Sequence, residues 1–208
     1  MRRVHRGVAL LGLLLFGAVV GGCGSASQPS QTASTAAATA RLGGIPIQPA
    51  RAAPPLALRN YTGQSVDLAA FRGKAVLVTF VYTHCPDVCP LIVSKLAAAQ
   101  RQLGGEARQV QILAVTVDPK NDTPGAVRHF LAVRGATGRM DYLIGSPRQL
   151  LPIWKAWGIA VLVTKSGDTA DHTALVYGIT ASGKIAVAYP SSFTPDTIVH
   201  AVPLLARS

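Results

Sequence analysis

Two runs of β-forming residues limit the fold of this chain more than any other feature. Residues 75–82 (Ala-Val-Leu-Val-Thr-Phe-Val-Tyr) and 110–117 show almost no alternation of apolar and polar positions. A strand without that alternation is covered on both faces, so both runs are expected inside a sheet with helices packed above and below. Between them, Val88–Leu103 reads as a helix closed by Gly104-Gly105. Thr123-Pro124 opens another helix to about Arg134, with Thr as cap and Pro at its first position. Asp141–Ile144 is a short strand, and Ser146-Pro147 starts a helix that ends near Gly158. Residues 173–180 and 185–189 pair as a hairpin, and Thr194-Pro195-Asp196 caps a last helix to about Leu205. This order predicts an α/β domain of three layers, α/β/α, with a central mixed sheet and a C-terminal β-hairpin plus helix.

The residues ahead of that domain read as an address. Arg2, Arg3 and Arg6 precede an apolar stretch over 7–20, shorter than the roughly 20 residues that cross a bilayer. Residues 1–22 are therefore an export signal. Its end, Val20-Gly21-Gly22-Cys23, resembles a bacterial lipoprotein signal, which implies acylation of Cys23 and anchoring to the outer face of the cytoplasmic membrane. From there to position 55 the chain is dominated by Ser, Thr, Ala, Gln and Pro, so residues 23–55 are expected to be a disordered membrane tether, with the folded domain over 56–208. The formal charge of +11 falls by the three signal arginines to +8. Lys and Arg are scattered without a run of three, and no nucleic-acid-binding signature accompanies them, so a basic surface near an anionic bilayer is expected rather than nucleic-acid binding.

Chemistry concentrates in Cys85-Pro86-Asp87-Val88-Cys89-Pro90, at the junction of the first apolar run and its helix. Four residues of helix rise about 6 Å, within the Cα separation a disulfide accepts. Reduced, the same sulfurs can hold a soft metal ion. A helix N-terminus favours thiolate, which is both the nucleophile of disulfide exchange and the ligand for Cu(I) or Zn(II). A plain stabilising disulfide is disfavoured, because so small a loop stabilises little.

The string Phe80-Val81-Tyr82-Thr83-His84-Cys85-Pro86-Asp87-Val88-Cys89-Pro90 resembles the signature of the SCO/SenC family. The similarity extends to Val115-Thr116-Val117-Asp118-Pro119, to Asp122-Thr123-Pro124 and to Asp171-His172-Thr173. These are thioredoxin-fold, membrane-tethered copper proteins associated with assembly of the binuclear copper centre of cytochrome c oxidase. The resemblance implies copper, Cu(I) or Cu(II), on Cys85, Cys89 and His172, and the copper-bearing oxidase subunit or another copper acceptor as partner. Two thiolates and an imidazole suit copper better than zinc, which in a closed site normally takes four protein ligands.

The other candidates are weaker. His84 is expected to point away from the cysteines, and His129 and His200 to lie on helix surfaces. Asp118 either orients His172 or only turns the chain, and Asp87 caps the helix or solvates the loop. Trp154 and Trp157 are expected in the core. A metallochaperone is the leading reading. A thiol–disulfide oxidoreductase cycling a Cys85–Cys89 bond on an oxidase subunit or another exported protein is the alternative. Thioredoxin-type exchange uses a two-residue spacer and a facing cis-proline, and no proline occurs between Pro152 and Pro190. Peroxiredoxins carry Thr or Ser where this chain has Tyr82.

Overall fold

In the computed structural model, which describes residues 41–167 and 169–208, the two apolar runs are adjacent parallel strands within an eight-stranded mixed sheet. The chain forms β1 (Ile45–Ala52), β2 (Ala57–Asn60), β3 (Ser65–Asp67) and β4 (Ala75–Val81), then helix α1 (Val88–Leu103). It continues through β5 (Val110–Thr116), α2 (Pro124–Ala132), β6 (Asp141–Ile144) and α3 (Pro147–Trp157). A short pair, β7 (Val161–Val163) and β8 (Thr169–His172), precedes β9 (Leu175–Ile179), β10 (Lys184–Pro190) and α4 (Pro195–Ala206). The sheet order is β1-β10-β9-β4-β5-β6-β2-β3; β4, β5 and β6 are parallel, and the remaining pairings are antiparallel.

All seven residues of β4 are buried, as a strand covered on both faces requires. The two covers can be read from β9. Tyr177 packs its ring 5.7 Å from that of Trp157 on α3, and the same indole lies 5.7 Å from Phe80 of β4. At the next residue, Gly178, a Cβ would stand 3.2 Å from Leu205 of α4. Successive strand residues face opposite ways, so α3 and α4 lie on opposite sides of the sheet. Helix α1 packs against α4, which completes the three layers expected from the sequence. The Thr123 side chain accepts from Ala126 N, and Ser146 with Gln149 closes a capping box, so both helices begin where the sequence placed them. Gly158, in the left-handed region at φ 69°, ends α3.

Two expectations are corrected. The folded part starts before residue 56: Ile45–Ala52, inside the expected tether, is an edge strand antiparallel to β10, and Leu42 ahead of it is buried. Pro46 and Pro49 interrupt any period there, and proline is tolerated because an edge strand leaves one side unpaired. In sequence the polar residues 166–171 read as a flexible loop leading to His172; the structure instead forms the antiparallel pair β7–β8 there, with Val161 opposite His172. The signal, Cys23 and the tether to residue 40 lie outside the described residues. None of the described helices is long and apolar enough to cross a membrane.

Candidate metal centre

The cysteine loop leaves the C-terminal end of β4 and is held from below by one buried carboxylate. Asp122, 3% exposed, accepts from Thr83 N at 2.8 Å and Thr83 Oγ1 at 2.7 Å through one oxygen. Its other oxygen accepts from Thr116 Oγ1 at 2.5 Å and Tyr142 Oη at 2.7 Å. Burial pushes the Asp122 carboxyl up from its ordinary range, and those four hydrogen bonds oppose the shift. The loop, the end of β5 and β6 are thereby tied to a single side chain. Cys85 is 8% exposed, and Cys89 in the first turn of α1 is fully buried.

Both cysteines are free thiols. Asp87 takes the N-cap position of α1 but makes no side-chain cap bond. The Cys85 sulfur fills that role, accepting from Cys89 N at 3.4 Å. The Cys89 thiol also donates to Cys85, the largest of the effects that bring the Cys85 thiol down to about 5. Backbone donors and the nearby His172 act in the same direction, against burial. Cys89 is pushed far up by the same pairing and by burial. The pairing thus favours thiolate at Cys85 and thiol at Cys89.

His172 arrives from 83 positions away in sequence, at the end of β8, with Nε2 3.3 Å from Cys89 Sγ. Its Nδ1 donates to Thr173 O at 2.9 Å, which orients the ring and turns Nε2 towards the sulfur. Tyr82 meets the imidazole edge-on at 5.6 Å between ring centroids. Burial, followed by the Cys85 and Cys89 sulfurs, pushes the Tyr82 phenol up to about 12, so it stays neutral beside them. Among the described residues no three His, Cys, Asp or Glu side chains already stand as a metal cage. Cys89 touches both Cys85 and His172 and is the shared neighbour of the three.

The remaining candidates separate from this cluster. His84 is exposed and bonds Thr83 Oγ1 at 3.0 Å, and His129 and His200 are exposed on α2 and α4. Asp118 accepts from Asn121 Nδ2 at 2.9 Å, which is the turn reading. Trp154 and Trp157 are buried, and Trp154 Nε1 donates to Thr116 O at 3.1 Å. Sequence reasoning missed Tyr82 and Asp122 as parts of the site. Each lies within a motif string, Tyr82 directly after the β4 run and Asp122 before the cap of α2, and that position was the available signal.

The family model described as SCO1/SenC matches residues 46–207. The chain belongs to the SCO1/SenC family. A mitochondrial SCO2 homolog of Bos taurus is 30% identical over 151 residues, covering 70% of this chain and 56% of that relative, so the chain spans little more than half of it. The structure of Bradyrhizobium japonicum ScoI with copper bound is 30% identical, with a TM-score of 0.63 over 74% of this chain and 98% of that one. BsSco, described as a member of the Sco family of cytochrome c oxidase assembly proteins with a disulfide switch, is 26% identical. Its TM-score is 0.64, over 78% of this chain and 98% of its own. The fold is that of the thioredoxin-like Sco proteins.

Proposed function

We propose that this Sco protein is a membrane-tethered copper carrier that delivers copper during assembly of cytochrome c oxidase, with Cys85, Cys89 and His172 as its ligands. The observation that carries this reading is the contact of His172 Nε2 with Cys89 Sγ at 3.3 Å, on the sulfur that also adjoins Cys85. Copper is cargo here. The Cys85 thiolate offers the first bond, and Cys89 gives up its proton as the second forms. The oriented imidazole supplies the third, after side-chain adjustment at Cys85 and His172. Three soft or borderline ligands suit Cu(I) and leave room for a ligand from the acceptor, through which the ion can be handed on. Copper in ScoI and the oxidase-assembly role named for BsSco support the same reading. The tether is Cys23, acylated at the outer face of the cytoplasmic membrane, with the metal site outside the cytoplasm.

Metal analysis of the reduced protein tests the ligand set. One copper per chain is expected, with loss in Cys85→Ala and Cys89→Ala. Full copper content in Cys89→Ala refutes the site. Copper-independent reduction of disulfides in a substrate protein, abolished by Cys85→Ser, would point to the thiol–disulfide alternative instead.

A further inference from the structure

Far from the cysteines, the turn joining β9 and β10 is ringed by cations. Cys85 follows the C-terminal end of β4, whereas this turn lies beside its N-terminal end, where Gly73 N donates to Ala181 O at 3.0 Å. A cleft of about 420 Å³ opens there, with Arg41, Lys184 and Arg207 among its lining and Leu42, Ile47 and Leu204 in its apolar wall. The three cations are exposed. Arg72, exposed as well, lies so close over Gly183 that a Cβ on that residue would overlap its guanidinium. None of the lining side chains is acidic. The Ser208 carbonyl oxygen on the rim accepts from Ser182 N at 3.1 Å.

A cationic rim over an apolar wall has the chemistry of an anionic phospholipid site. The phosphate pairs with guanidinium and ammonium groups, and the glycerol and first acyl carbons meet the aliphatic wall. The course of the chain brings lipid to this end. Arg41, the first described residue, stands on the rim, so the segment leading from Cys23 enters the domain there. From position 23 to 41 is 18 residues, and a chain of that length reaches at most about 65 Å. We infer that the cleft at the β9–β10 turn docks on anionic phospholipid headgroups, holding the domain with its cysteines turned away from the bilayer. This inference rests on the tether proposed above and not on copper.

The test uses the full acylated chain on vesicles of phosphatidylcholine alone or mixed with phosphatidylglycerol, read by flotation and by backbone amide exchange. Exchange at residues 180–184 and 204–208 is expected to slow only on the anionic vesicles and to recover at about 1 M salt, where the Debye length shrinks to about 3 Å. Each Lys or Arg at an anionic surface favours binding by about fivefold, so Arg41→Gln/Lys184→Gln/Arg207→Gln lowers the docking equilibrium constant roughly hundredfold and the protection is lost. That triple variant keeps its copper content and still floats. Flotation on both vesicles with equal exchange overturns the docking and leaves the tether standing. A chain that floats with neither overturns both. Equal protection in lipid-free detergent assigns the cleft to a second copy of the chain and also overturns the docking.

Discussion

Cys85 and Cys89 sit four positions apart, yet their surroundings drive the two thiols in opposite directions. Cys85 collects the Cys89 thiol and backbone donors at the head of α1, whereas Cys89 is buried behind it. In the reduced, copper-free protein, ultraviolet thiolate absorbance should therefore rise with a midpoint about pH 5. Cys89→Ala removes the largest cause, so the midpoint should move up towards that of an ordinary cysteine, about 8.5. A wild-type midpoint already in the ordinary range contradicts the arrangement. The stability consequence has a definite sign. With the folded pKa depressed, Cys85 stabilises the fold fully above its unfolded value, and this is lost as pH falls through about 5. Cys89, raised, contributes below its unfolded value and loses that contribution at more alkaline pH. Tyr82 acts at the same scale through shape. Tyr82→Ala should weaken copper binding by about fivefold, the equivalent of roughly 1 kcal/mol of lost ring packing on His172. Tyr82→Phe should retain binding. Competition against a Cu(I) chelator separates the two outcomes.

Among the elements, the loop before α1 depends on Asp122. In Asp122→Asn one carboxylate oxygen becomes an amide, so at least one of the Thr83, Thr116 and Tyr142 donors loses its acceptor. A loss of about 1–3 kcal/mol in denaturant-induced unfolding is expected. Copper affinity should fall with it, because Thr83 no longer fixes the loop that carries Cys85. Unchanged stability would mean the network is slack. Elements with local signals were legible in the sequence: α2 and α3 begin at the Thr123 and Ser146 caps, and β4 and β5 show their double burial in composition. The hairpin of β7 and β8 was not, because Leu162 and Val163 are exposed and Ser166-Gly167 reads as loop. β1 was hidden by its prolines. Asp122 was overlooked because its partner Thr83 is 39 residues away, and no local period records such a bond.

At the scale of the whole molecule, the sheet is what brings the chemistry together. β4 ends at the cysteine loop, β9 runs antiparallel beside it, and the chain entering β9 passes His172 over α1. The cysteine pair could be read from spacing and helix position alone. The distant histidine could be singled out only through the family resemblance, because one loop histidine carries no mark of its destination. The same topology sends Arg41, Lys184 and Arg207 to the far end, separating the thiol chemistry from the cationic cleft. The central claim is that one copper ion closes the three side chains into a single site. Copper X-ray absorption on the loaded, reduced protein measures this directly. Two sulfur ligands and one imidazole nitrogen in the wild type, with the nitrogen absent in His172→Ala, is the predicted result. A copper shell identical in both proteins would contradict it.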